Sequence, residues 1–333
     1  MKKISLLLIV SLMFTVFSLT GCKDKKNKIV VAEVTHSVFY APQYVAQALG
    51  YFQDEGIEVE IITTAGADKT MAAVLSKEAH IGLMGPEATV YVYNNNQKDY
   101  AINFAQLTQR DGSFIVGREN INNFDISMFE GKEILGGREG GMPAMVLEYA
   151  LRQAGFTVGR NDSTKDVNVR TDVAFDAMAG AFTSGQGDFV SLFDPTATTV
   201  EQSGEGDIVT SLGELSGIVP YTVYSTLKSY LNKNEDKIEK FTKAIYKAQI
   251  WVHNHTASEI SEVIKPYFTS IKDDDLVTVV QRYKNADVWA LNPVFNKEGY
   301  QKLLDILEMA GQLENEVPFE ILVNNKYAEK SIG

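Results

Sequence analysis

The chain has 333 residues, 45% of them hydrophobic and 22% charged, with a single cysteine and a formal charge of −12. That balance describes an ordinary folded chain of one large or two medium domains, and its excess of acid argues against nucleic acid or an anionic membrane surface as a partner. One cysteine excludes an internal disulfide.

The first element is an address. Met1–Lys3 is basic, residues 4–20 are apolar apart from Ser and Thr, and "LTGC" ends the run at Cys22. This is the order of a secretory signal, with a cysteine standing where the cut would expose it, as in a bacterial lipobox. Residues 1–21 are therefore expected to be a signal peptide and Cys22 a lipidated N-terminus. Residues 22–28, "CKDKKNK", read as a tether too polar for a core. An uncleaved anchor is the competing reading, since the apolar run comes close to the roughly 18 residues a span needs. No later segment is long and apolar enough to cross a bilayer.

From residue 28 the sequence alternates. "KIVVAEV" reads as a strand, "THSVFYA" as a loop, and "PQYVAQALGYFQDEG" as a helix with Pro42 in its first turn. "IEVEIIT" is a strand, "DKTMAAVLSKEA" a helix, "HIGLM" a strand, and Pro86 opens another helix. The rhythm restarts near residue 132. "KEILGG" is a strand and "MPAMVLEYALRQAGF" a helix with Pro143 in its first turn. "DVNVR" is a strand, "DVAFDAMAGAFTSGQ" a helix, and "DFVSLF" a strand before Pro195. After Tyr224 four amphipathic helical stretches follow, starting near residues 234, 257, 272 and 296, with no strands between them.

Four of the eight prolines thus open helices, and "PEAT" at 86–89 and "PTAT" at 195–198 repeat one junction. Proline tolerates a first helical turn because its missing N–H has no partner there anyway. The repeated order predicts two similar α/β lobes, each a mostly parallel sheet covered by helices. Lobe one is expected over 29–110 and 222–333, lobe two over 111–221, with crossings near 109–114 and 217–224. Ligands of parallel α/β sheets bind beyond the carboxyl ends of the strands, where helix N-termini offer free N–H groups. Two such edges facing each other predict a cleft for a small polar solute.

These residues resemble a known family. "FYAPQYVAQALGYFQDEGIEVEI", "AHIGLMGPEATVYV", "GREGGMPAMVLEYALRQAGF" and "GDFVSLFDPTAT" are similar to motifs of the substrate-binding proteins of nitrate, sulfonate, taurine and thiamine-precursor ABC importers. The resemblance covers most of the chain after the tether. It implies a two-lobed, type II periplasmic-binding-protein-like fold that closes on a solute and delivers it to a permease with its ATPase. It implies no catalysis and no cofactor. The lipobox agrees, placing the protein outside the cytoplasm on a lipid anchor.

Candidate ligand contacts follow from the loops. Ser37 offers a hydroxyl, and Phe39 and Tyr40 offer stacking faces or, equally, an aromatic staple for the next helix. Gly85, Gly140 and Gly141 let backbone approach a ligand at helix starts, beside Glu87 and Met142. Asp194 precedes Pro195, where it is either a helix cap or a carboxylate for a ligand amine. Arg110, near the first crossing, is placed to pair with an acidic ligand group or with Asp111, and Tyr221 stands near the second. The four histidines, 36, 80, 253 and 255, lack metal spacing. The aromatics and Asp194 favour a planar heterocycle, such as a pyrimidine-type vitamin precursor, over an oxyanion such as an alkyl sulfonate or taurine. Two readings of another class share the fold: a pyrimidine-synthesis enzyme, disfavoured by the lack of a cysteine-rich motif, and a receptor-coupled sensor.

Overall fold

A computed structural model describes residues 27–121 and 123–333; the signal peptide, Cys22 and most of the tether lie outside the described residues. Eleven strands follow in chain order among the described residues: β1 Lys28–Glu33, β2 Glu58–Thr63, β3 Ile81–Met84, β4 Ala101–Thr108, β5 Ser113–Gly117 and β6 Glu133–Leu135. The rest are β7 Val158–Arg160, β8 Val167–Arg170, β9 Phe189–Phe193, β10 Asp207–Ser211 and β11 Thr222–Leu227. They form two sheets, β2-β1-β3-β11-β4 and β10-β5-β9-β6-β8-β7.

Strand direction has a simple rule here. β1 pairs parallel with β2 and β3, whereas β11 runs antiparallel to both β3 and β4. In the second sheet β9, β6, β8 and β7 are parallel, and β5 is antiparallel to both β9 and β10. Each sheet therefore holds one reversed strand, and it is the strand that the chain enters when it passes from the other sheet. The carboxyl edges of both parallel sets then face one space.

The prolines sit where helices start. Pro42 and Pro143 lie in the first turns of helices Ala41–Ala48 and Met142–Gln153, and Pro86 and Pro195 stand immediately before helices Glu87–Asn94 and Thr196–Gln202 without a side-chain capping bond. The helical run expected from Pro42 onward is broken in two: Gly50, at φ +75°, ends Ala41–Ala48 and starts Tyr51–Asp54. The helix expected from Asp172 begins later, as a 3-10 turn Phe175–Ala177 and a helix Met178–Thr183.

All four C-terminal stretches are helical, at Glu235–Asn254, Ala257–Ile264, Asp273–Asn285 and Lys297–Met309. Thr256 and Glu259 close a capping box on the second. The first packs on helix Ala41–Ala48, and Phe241 stacks on Phe52 with centroids 5.3 Å apart. Burying each such ring contributes roughly 1.5–3 kcal/mol. Two of these helices also reach the second lobe. Lys297–Met309 packs on Met142–Gln153. Arg282, on Asp273–Asn285, donates to Thr198 Oγ1 at 2.8 Å and to Glu201 at 2.7 Å.

Candidate functional site

The facing strand ends enclose a small, mostly apolar cavity of about 60 Å³. Each wall comes from the chain just past a strand. Val34 and Thr35 follow β1, Gly85 and Glu87 follow β3, Arg138, Gly141, Met142 and Pro143 follow β6, and Phe193 ends β9. Tyr221 and Thr222 lie at the start of reversed β11, which is why they reach the same edge. Tyr40, in the 3-10 turn Val38–Tyr40 after β1, and Phe175 complete the aromatic lining.

Glu87 is the carboxyl group of the lining, 1% exposed. Burial pushes its carboxyl up to about 7; the nearby Arg138 guanidinium and the backbone N–H groups of Glu87, Met142 and Ala88 oppose that rise. No regular hydrogen bond reaches its Oε2. A buried acceptor left open in this way costs free energy until a donor arrives. The Tyr221 hydroxyl is likewise buried without a regular partner. It faces Asp111, whose Oδ1 accepts from Ser113 N and Ser113 Oγ at 2.7 Å each. Burial holds the Asp111 carboxyl up at about 7.

Arg138 is the cation of the lining, and it is half committed elsewhere. It donates to the Glu139 carbonyl at 3.1 Å and lies 3.9 Å from Asp68 across the cleft. The Tyr91 hydroxyl, on the helix after Pro86, donates to the Gly140 carbonyl at 2.9 Å, tying the two lobes beside the cavity. Gly140 itself, at φ +72°, takes a conformation that favours glycine.

Of the residues expected at the ligand, Tyr40, Gly85, Glu87, Gly141, Met142 and Tyr221 line this cavity. Ser37, Phe39, Arg110, Gly140 and Asp194 do not. Ser37 caps the 3-10 turn and donates to the Asp194 carbonyl at 2.5 Å. Phe39 is fully buried behind the lining, with Phe193 and Tyr221 at 5.4 and 5.7 Å. Arg110 lies 3.9 Å from Asp287, not against Asp111. Asp194 Oδ1 accepts from Thr198 N and Oγ1 at 2.9 and 2.8 Å, and its Oδ2 lies 3.7 Å from Arg282.

Phe175, Phe193 and Arg138 were not singled out by the sequence. Phe193 begins "FDP", an aromatic and an acid before proline at the end of the motif "GDFVSLFDPTAT", and Arg138 sits inside "GGREGG". His36 is held in the structure by the Tyr267 carbonyl, Tyr44 and Glu33. Among the described residues no cluster of three or more His, Cys, Asp or Glu could hold a metal ion. No described helix is long and apolar enough to cross a membrane.

The family described as "NMT1/THI5 like" matches residues 38–258. The "Putative binding protein YtlA" of Bacillus subtilis (strain 168) is 46% identical over 319 residues, 95% of this chain and 94% of its own. Solved structures share the fold at low identity. The ligand-binding component of an ABC-type import system from Staphylococcus aureus superposes with a TM-score of 0.72 at 13% identity, over 92% of this chain and 99% of that one. The alkanesulfonate-binding protein SsuA from Xanthomonas axonopodis pv. citri gives 0.70 at 12%, over 91% and 99%. The nitrate-binding protein NrtA from Synechocystis PCC 6803 gives 0.69 at 13%, over 92% and 88%. This chain shares the fold of these solved structures, two lobes of the periplasmic-binding-protein type.

Proposed function

The chain belongs to the NMT1/THI5-like family, and from that premise we propose that it is the extracytoplasmic solute-binding component of an ABC importer, taking a small planar nitrogen heterocycle between its lobes. The observation that carries the choice of solute is Glu87: a buried carboxylate with an open oxygen, inside a cavity walled by Tyr40, Phe175, Phe193 and Tyr221. A ring bearing N–H donors would satisfy that oxygen and lie against the aromatic faces. An oxyanion would meet the carboxylate instead and be repelled.

The reading includes a binding protein without catalysis, a permease and its ATPase as partners, and lobes that hinge near residues 109–114 and 217–224. It also includes anchoring by a lipid on Cys22, supported by the "LTGC" motif; labelling with a fatty acid that survives Cys22→Ser would refute the anchor. An oxyanion remains the second reading because Arg138 borders the cavity, and because SsuA and NrtA are named for such ligands.

Calorimetry with 4-aminopyrimidine, cytosine and taurine separates the two. We expect the aminopyrimidines to bind and Glu87→Gln to weaken them at least tenfold. Taurine binding in the absence of any heterocycle binding would establish the oxyanion reading instead.

A further inference from the structure

The cavity around Glu87 is too small to be the whole binding site. Its volume of about 60 Å³ has room for roughly four or five waters, so a single small ring fills it. It does not end there. Val34, Thr35, Phe175 and Phe193 also line a second, outer chamber of about 390 Å³. Phe175 and Phe193, with centroids 5.9 Å apart, stand at the junction of the two spaces.

The outer chamber has a different chemistry. Thr63, Thr64 and Thr196 present polar walls, and among the described residues the only ionisable groups lining it are His36 and Asp176. Neither supplies a free positive charge. His36 Nε2 is 2.8 Å from the Tyr267 carbonyl and must donate to it. Its Nδ1 faces the Tyr44 hydroxyl at 2.7 Å and Glu33 Oε1 at 3.4 Å, and Tyr44 donates to Glu33 in turn. Both ring nitrogens are therefore committed, and any charge on the ring is matched by the buried Glu33. Among the described residues, no lysine or arginine lines the chamber. A phosphate, sulfonate or carboxylate placed there would find threonine hydroxyls but, among the described residues, no uncompensated cation, and Asp176 would repel it.

Resting on the heterocycle reading above, we infer that the solute is bipartite: a small ring seated against Glu87, carrying a polar, uncharged or cationic substituent that occupies the outer chamber. The protein would then select the substituted ring over the bare one and reject the same molecule once it is phosphorylated.

Cytosine, cytidine and cytidine monophosphate supply a matched set: ring, ring with a polyol, and ring with a charged polyol. Calorimetry on the full chain is expected to give cytidine at least tenfold tighter than cytosine, and the monophosphate at least tenfold weaker than cytidine. Ala179→Phe, which fills the outer chamber from helix Met178–Thr183, should remove the advantage of cytidine while cytosine still binds, which also shows that the variant is folded. Equal affinity for cytosine and cytidine, or a monophosphate as tight as cytidine, would overturn the bipartite solute and leave the ring site standing. Failure of all three to bind would bring down the heterocycle reading and this inference with it.

Discussion

Oε2 of Glu87 folds back over the α-carbon of Gly85, so that a methyl group at residue 85 would collide with the carboxylate and stand 2.7 Å from Cγ of Met142 in the opposite lobe. The glycine is therefore required by packing, not by its backbone angle. It gives the carboxylate the space in which to lie between the lobes.

Gly85→Ala should cost about 1–3 kcal/mol, the usual range for overfilling a packed site. Thermal and chemical unfolding would measure this. Glu87→Ala removes the colliding group, so the double variant should be destabilised by less than the sum of the two singles. Additive losses would mean that the two residues do not compete for the same space.

Glu87 also makes stability depend on pH. Its carboxyl titrates near 7 in the folded chain against an ordinary value of 4.5. The folded state thus binds the proton more tightly, and the stability gained from that is complete below about pH 4.5 and lost as pH rises through 7. Gln mimics the protonated form. The stability of Glu87→Gln relative to wild type should therefore grow between pH 4.5 and 7.5, by roughly 2–4 kcal/mol, and then level off. Denaturant titrations across that range would show it. A constant difference would mean that the carboxyl titrates normally. Asp111→Asn should behave in the same direction, since burial raises that group as well.

The parts of the fold that were legible are those with a local cause. Proline at a first helical turn marks Ala41–Ala48 and Met142–Gln153, and the 3.6-residue period marks the C-terminal helices. Strands β4, β5 and β11 escaped because they are buried along their whole length. A strand covered on both faces has no alternation to read. Strands β7 and β10 close the far ends of the second sheet; β7 is only three residues long, and β10 is half-buried along most of its length with no alternation to read. The cavity divides the same way. Gly85, Glu87, Gly141 and Met142 follow from the rule that ligands meet helix starts beyond strand ends. Arg138 and Phe175 also lie past strand ends, after β6 and β8, but the rule names a loop and not which of its side chains lines the cavity.

Asp194 is where a cap and a ligand contact make opposite predictions. Its backbone is clamped by the first lobe on both sides: Ser37 donates to its carbonyl at 2.5 Å and its N–H donates to the Tyr283 hydroxyl at 3.0 Å. Its side chain turns the other way, onto Thr198 and toward Arg282. Asn caps as well as Asp, so Asp194→Asn should leave stability and solute affinity nearly unchanged, whereas Asp194→Ala should cost about 1 kcal/mol of stability. Ser37→Ala removes a hydrogen bond that spans the lobes and leaves a buried carbonyl open, at a cost of about 1–3 kcal/mol. That cost falls on the closed arrangement. The variant should bind solute roughly five- to a hundredfold more weakly and stay more open in solution scattering with solute present, although Ser37 does not line the cavity. If Asp194→Asn instead loses affinity as Ser37→Ala does, the carboxylate grips the solute and the cap is incidental.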